Sequence, residues 1–166
     1  MSDQSTLVIE PLGKKHNRAA FSCGTDGLDV YFQRQASQDT KRRIARIFVI
    51  RSEIDEEAVL GYYTLSALSI ELSALQNSLA RKLPRHPIPA ALIGRLAVSS
   101  EFQGTGIGKI LLIDAIKRSL AISDEIAVYA MVVDALNAEA EAFYKKFGFS
   151  KLDSDTNRLF LPLEIA

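Results

Sequence analysis

The stretch that decides the fold reads Arg95-Leu96-Ala97-Val98-Ser99-Ser100-Glu101-Phe102-Gln103-Gly104-Thr105-Gly106-Ile107-Gly108-Lys109. An apolar β pattern, Ala91 to Val98, interrupted by Gly94 and Arg95, enters a glycine-rich turn, and the turn opens a helical pattern from Ile107 to Ala121. Leu112, Ile116 and Leu120 share one face of that helix, with Ile107 and Leu111 beside them. Glycines let a backbone approach a ligand with its N–H groups outward, and a helix N-terminus adds partial positive charge. Together they bind phosphate. A plain strand-to-helix turn does not need the alternate glycines Gly104, Gly106 and Gly108, so phosphate binding is the better reading.

Two familiar phosphate loops fail on this stretch. A Walker A loop needs Gly five residues before Gly108 and Ser or Thr after Lys109, where the chain has Gln103 and Ile110. A dinucleotide fingerprint begun at Gly104 needs its last glycine where Lys109 stands. The pattern left is Gln103-x-x-Gly106-x-Gly108.

Outward from the loop, the chain alternates elements. Thr6 to Ile9 reads as a first strand, ended by Pro11 and Gly13. Thr25 is placed to cap a helix from Asp26 to Asp39, whose Leu28, Tyr31, Phe32 and Ala36 recur at helical spacing. Ile44 to Arg51 and Val59 to Leu68 form a hairpin around the acidic turn Ser52 to Glu57, and Gly61 marks a bulge or a close backbone approach. Ser69 to Leu83 reads as a helix, and Pro84, Pro87 and Pro89 as a loop. Downstream, Ile126 to Val133 is a buried strand, and Asn137 caps a helix from Ala138 to Lys146 with Gly148 at its C-terminal stop. Phe149 to Leu163 supplies a turn and a last strand. The order predicts a mixed α/β sheet in one domain over residues 1–166.

Composition narrows the class. Apolar residues are 48% and charged residues 24% of the chain, which excludes a disordered segment. No apolar run reaches the roughly 18 residues that span a bilayer, so no membrane association is expected. Met1 to Ser5 shows neither a basic nor an apolar leader region, and the lone Cys23 allows neither an intrachain disulfide nor a cysteine-based zinc site. A cytoplasmic protein without a metal is expected. Twenty Lys and Arg balance twenty Asp and Glu, yet the charges cluster. Lys41, Arg42, Arg43 and Arg46 form one basic group, Arg81, Lys82 and Arg85 a second, and Lys145 with Lys146 a third, against Glu53, Asp55, Glu56 and Glu57. Each group alone reads as a solvated face. Together they can hold phosphates, because binding follows local charge and not the sum.

The loop pattern resembles the acetyl-CoA pyrophosphate loop of the GNAT N-acetyltransferases, Gln/Arg-x-x-Gly-x-Gly/Ala. The run Asn137-Ala-Glu-Ala-Glu-Ala-Phe143-Tyr144-Lys-Lys-Phe-Gly-Phe149 resembles the second GNAT signature, one helix and one strand further on. The resemblance covers Leu7 to Leu163 and implies a central, mostly antiparallel sheet with splayed strands flanked by helices. It implies acetyl-CoA as cofactor, with Leu96, Ala97 and Val98 pairing with the pantetheine arm. Gln103, Gly104, Thr105, Gly106, Ile107, Gly108 and Lys109 would hold the pyrophosphate. Asn137 would reach the pantetheine, and Phe143 would pack near the thioester. Tyr144 is the expected general acid. A phenol, with an ordinary pKa of about 10, is protonated at neutral pH and can supply a proton to a departing thiolate.

Further segments resemble one GNAT branch, the type II toxins that acetylate aminoacyl-tRNA. They are Phe21-Ser22-Cys23-Gly24, Arg46-Ile47-Phe48-Val49, Gly61-Tyr62-Tyr63-Thr64-Leu65-Ser66, Leu83-Pro84-Arg85-His86-Pro87-Ile88-Pro89 and Gly94-Arg95-Leu96-Ala97-Val98. The branch implies charged tRNA as substrate, gripped by Lys41, Arg42, Arg43, Arg46, Arg81, Arg85, Lys145 and Lys146. It also implies a ribbon-helix-helix antitoxin as partner, leaves room for a homodimer, and gives no reason for the chain alone to bind DNA. The sequence marks no catalytic base: His16 and His86 lie outside both motifs. An aminoacyl ester suits such a site, because its amine titrates below the roughly 7.7–8.0 of a free α-amine. Two other readings stay open at this level. One is an acetyltransferase for a small amine or a protein N-terminus, the other a non-catalytic acetyl-CoA-binding module.

Overall fold

The computed structural model describes residues 6–71, 87–152 and 156–163. Its seven strands are β1 (Leu7–Pro11), β2 (Arg46–Ser52), β3 (Gly61–Ile70), β4 (Ile88–Val98), β5 (Ala130–Asp134), β6 (Ser150–Lys151) and β7 (Arg158–Pro162). They form one sheet in the order β1-β2-β3-β4-β5-β7-β6. The β1–β2, β2–β3, β5–β7 and β6–β7 pairs are antiparallel, and β4–β5 is parallel. The helical elements are α1 (Asp26–Val30), a π turn (Tyr31–Gln35), α2 (Ala36–Lys41), a 3-10 turn (Ser100–Phe102), α3 (Ile107–Ile122) and α4 (Ala138–Lys146). The expected mixed α/β sheet is present. Among the described residues no helix is long and apolar enough to cross a membrane.

Contacts divide the chain into two compact units, Met1–Ser66 with Arg95–Ala115, and Ala67–Gly94 with Ile116–Ala166. In the first, the run Ile47 to Ile50 is buried on both faces of β2. Its core gathers Phe21, Tyr31, Phe32, Ala36, Val49, Tyr62 and Ala97. Phe32 stacks on Tyr62 with ring centroids 4.4 Å apart, and Phe21 meets both edge-on. Offset and edge-on rings add about 0.5–1.5 kcal/mol per pair beyond area burial. In the second unit, Ile88, Ala90, Ala130, Val132, Leu152 and Phe160 pack together.

Several elements differ from the sequence reading. The helix from Asp26 runs on to Lys41 and is interrupted by the π turn, which lets the adjacent Tyr31 and Phe32 both face inward. Thr25 holds the N-cap position, but its side chain makes no capping bond. The Asp29 carboxylate instead accepts the Cys23 N–H at 2.8 Å. Ser69 and Ile70 belong to β3, Glu71 follows it outside any helix, and residues 72–83 of the predicted helix, with Arg81, Pro84, Arg85 and His86, lie outside the described residues. Pro89 is not loop but strand: it is exposed, needs no N–H there, and its carbonyl accepts from Tyr129 N–H. The expected strand at Ile126 starts four residues later at Ala130, because the Ile126 N–H bonds back to the Ile122 carbonyl and prolongs the end of α3.

Candidate active site

The glycine turn sits between the end of β4 and the start of α3. Gly104 has φ +80° and Gly106 φ +91°, a left-handed conformation that other residues adopt only under strain. A Cβ at either position would meet nothing within 4 Å, so the backbone is open to a ligand. Ile107 is buried and anchors the helix, whereas Gln103, Thr105 and Lys109 are exposed. The arrangement can hold a pyrophosphate on backbone N–H groups and the α3 N-terminus.

The turn is braced from behind. Gln103 Nε2 donates to the Cys23 carbonyl at 2.7 Å and to the Val98 carbonyl at 3.0 Å. Ser99 N–H donates to Leu60 O and Ser100 N–H to Ser22 O, both at 2.8 Å, while Thr105 Oγ1 donates to the Phe102 carbonyl. The side-chain amide of the glutamine in the loop pattern therefore has its donors occupied within the protein, where they brace the loop. Sequence reasoning missed the bracing by Ser22 and Cys23, since it depends on a contact across 80 residues. Beside the turn lies a cleft of about 700 Å³ lined by Phe21, Ser22, Ser99, Phe102 and the acids Asp55, Glu57 and Glu101. Those carboxylates disfavour a phosphate in that cleft.

Upstream, the β4–β5 register ends at Ile93↔Val133, and β4 continues to Val98. Leu96 and Val98 are half-buried, with the buried Ala97 between them turned to the opposite face. Gly61 explains the close approach on this strand: a Cβ there would lie 2.8 Å from the Ala97 carbonyl oxygen.

Asn137, Phe143 and Tyr144 lie in the second unit. Asn137 Oδ1 accepts the Ala140 N–H at 2.8 Å, so it caps α4 as expected and keeps its Nδ2 donors for a ligand. Gly148, φ +98°, ends the helix. The half-buried Phe143 packs edge-on against Tyr144 and Phe147 at 5.3 and 5.2 Å, and Tyr144 packs against Phe149 at 5.6 Å. Tyr144 is buried, and burial alone pushes its hydroxyl pKa above the ordinary tyrosine value. The phenol thus keeps its proton across the neutral range.

Lys41, Arg42, Arg43 and Arg46 are all exposed, at the end of α2 and the start of β2. Lys146 is exposed, and Lys145 pairs with Glu141 at 2.9 Å. His16 is excluded as a base. It is buried, its Nδ1 accepts the Gly13 N–H at 2.9 Å, and its Nε2 therefore donates to Glu10 at 2.7 Å. Arg95 was singled out by neither motif, yet its guanidinium carbon stands 3.6 Å above the Tyr31 ring centroid. An arginine within an otherwise apolar strand was the sequence signal for it.

The glycine turn stands on a strand-to-helix junction in a sheet of this order, and a profile of the acetyltransferase (GNAT) domain matches residues 43–151. The chain belongs to that family. The "tRNA-acetylating toxin" of Mycobacterium tuberculosis is 35% identical over 147 residues, covering 89% of this chain and 86% of the relative. Among solved structures, AtaT complexed with acetyl-methionyl-tRNAfMet matches with a TM-score of 0.87 and 32% identity, covering 95% of both chains. A tyrosine-to-phenylalanine mutant of the AtaT toxin, bound to the C-terminus of the antitoxin AtaR and acetyl-CoA, matches with a TM-score of 0.80 and 28% identity over 95% and 94% of the two chains.

Proposed function

We propose that this chain is an acetyl-CoA-dependent N-acetyltransferase that acetylates the α-amine of aminoacyl-tRNA and so stops translation, acting as a cytoplasmic toxin restrained by an antitoxin. The observation that carries the reading is the likeness, over 95% of the chain, to AtaT complexed with acetyl-methionyl-tRNAfMet. The AtaT mutant bound to its antitoxin's C-terminus and to acetyl-CoA supports the partner and the cofactor. The family match across residues 43–151 draws on both compact units and supports one functional domain.

The residues fit the cofactor. Gly104, Gly106, Gly108 and Lys109, with the N–H groups of Thr105 and Ile107, hold the pyrophosphate. The backbone of Leu96 and Val98, past the last β5 partner, pairs with the pantetheine arm. Bound acetyl-CoA supplies the activated acetyl thioester. Tyr144 is the general acid: its hydroxyl would give a proton to the departing thiolate, while the proton shed by the acylated nitrogen passes to solvent, from which the phenolate is reprotonated. No protein base is assigned. The amine of an aminoacyl ester is largely neutral near pH 8 and attacks without one. Lys41, Arg42, Arg43, Arg46, Lys145 and Lys146, together with Arg81 and Arg85, bind tRNA phosphates.

Translation in a purified system tests the reading. Adding the protein with acetyl-CoA should halt peptide synthesis, and omitting acetyl-CoA should restore it. Undiminished synthesis with both present refutes the toxin assignment.

A further inference from the structure

Arg95 shares a face of β4 with Ala97, which packs in the core beside Tyr31 and Phe32. Its backbone N–H donates to Thr64 Oγ1 at 3.0 Å, and its guanidinium lies over the Tyr31 ring. Tyr31 is itself fixed. Its ring is buried, and its hydroxyl donates to Asp39 Oδ2 at 2.7 Å. Gln35 Nε2 donates to the other oxygen of Asp39 at 3.0 Å. The Gln35 bond foremost, then the Tyr31 bond and the charges of Arg95 and Arg42, hold the Asp39 carboxyl below the usual carboxylate range. The π turn is the local device that brings Tyr31 and Gln35 onto one carboxylate.

The guanidinium of Arg95 is left over. Among the described residues it makes no hydrogen bond and no ion pair, and it stacks on Tyr31. Stacking engages a face of the guanidinium and leaves its edge, with a planar fork of N–H donors, for an acceptor. Because the ring already orders the side chain, little further freedom is lost on binding. The site is a pre-ordered fork for an oxyanion.

The surroundings say which oxyanion. Asp39 lies in α2, and the exposed Lys41, Arg42, Arg43 and Arg46 follow it directly. Both Arg42 and Arg95 act on Asp39, so the fork and the exposed cations share one electrostatic neighbourhood. The Asp39 carboxylate is already engaged by Tyr31 and Gln35, and Asp29 by the Cys23 N–H. One rigid fork beside several flexible cations suits a chain of phosphates, which presents many negative groups at close spacing. We propose that Arg95, laid flat on Tyr31, binds a backbone phosphate of charged tRNA and extends the Lys41–Arg46 cluster. The inference rests on the tRNA-acetylating reading and names a substrate contact within it.

Binding of charged tRNA across a salt series, with acetyl-CoA calorimetry alongside, tests it on wild type, Arg95→Gln and Arg95→Lys. Arg95→Gln should weaken tRNA binding about tenfold and flatten the log–log salt slope by about 0.7–0.9, the share of one phosphate. Arg95→Lys should keep the slope and recover only part of the affinity, since an ammonium has no fork. Acetyl-CoA affinity should stay within about twofold for both, which also reports that the variants are folded. Equal tRNA affinity and slope for wild type and Arg95→Gln overturns the inference and leaves the tRNA reading standing. A fall in acetyl-CoA affinity instead assigns the fork to the cofactor's phosphates and overturns it too. A wild type that binds no charged tRNA overturns both.

Discussion

Gly61 of β3 faces the carbonyl of Ala97 in β4 so closely that a Cβ would stand 2.8 Å from the oxygen, and 3.0 Å from Leu111 Cδ1 of α3. The obstacle is backbone, which cannot swing aside as a side chain can. Gly61→Ala therefore pushes on the strand segment that carries Leu96 and Val98. Overpacking of this kind costs about 1–3 kcal/mol. The expected result is a lower melting temperature together with weaker acetyl-CoA binding, read by thermal melts and calorimetry. Loss of stability with unchanged acetyl-CoA affinity would detach the strand backbone from the cofactor.

At Gly106 the constraint is torsional. The position is sterically open but has φ +91°, so Gly106→Ala should weaken acetyl-CoA binding through backbone strain, about 1–3 kcal/mol. Gly106→Glu adds a negative charge where the pyrophosphate is placed and should abolish binding. Calorimetry separates the two. Unchanged affinity in the Glu variant would remove the loop from the cofactor site.

Acid stability should report on Glu10. Its carboxylate accepts from Arg51 at 2.7 Å, from His16 at 2.7 Å and from Lys15 at 3.2 Å. The Arg51 bonds foremost lower its pKa from 4.5 to about 2, against the opposing pull of burial. A carboxyl with a depressed folded pKa stabilises the fold fully above its unfolded pKa and loses that contribution as pH falls toward about 2. Glu10→Gln should thus melt below wild type at pH 7, by about 1–3 kcal/mol, with the difference closing between about pH 5 and pH 2. Circular dichroism melts across that range check it. A gap that persists at pH 2 would mean packing, not charge.

How much of this was legible in the sequence follows the range of each interaction. Gly104, Gly106, the Asn137 cap and Gly148 act within a few residues, so their spacing alone located the turn and α4. Ile126 misled because an apolar residue in a short run counts as strand, although here it is 67% exposed and bonded back to Ile122. Gln103 was found by pattern, but its partner Cys23 lies far upstream. Arg95 needed the π turn to set Tyr31 beneath it, and no period in the sequence announces that insertion. Tyr144 was picked out through its motif, whereas the packing of Phe143 and Phe149 against its ring is set by the fold.

Tyr144→Phe removes one oxygen from a buried ring packed by aromatic neighbours, so the fold and acetyl-CoA affinity should survive. A general acid contributes about 10²–10⁴-fold, and kcat should fall by that amount. Burial raises the phenol pKa, so wild-type kcat should show no alkaline loss from this group below about pH 10. The acid limb should follow the substrate amine. Steady-state rates from pH 6 to 9 test both points. A loss under about threefold in the Phe variant would make Tyr144 a packing residue.

The central claim is transfer of acetyl from acetyl-CoA to the α-amine of charged tRNA. Labelled acetyl-CoA offered to the protein with aminoacyl-tRNA, the same tRNA stripped of its amino acid, and the free amino acid decides it. The account predicts label on the charged tRNA alone, released with the N-acetylated amino acid when mild base cleaves the ester. Label on the free amino acid and none on charged tRNA would contradict it and identify a small-amine acetyltransferase.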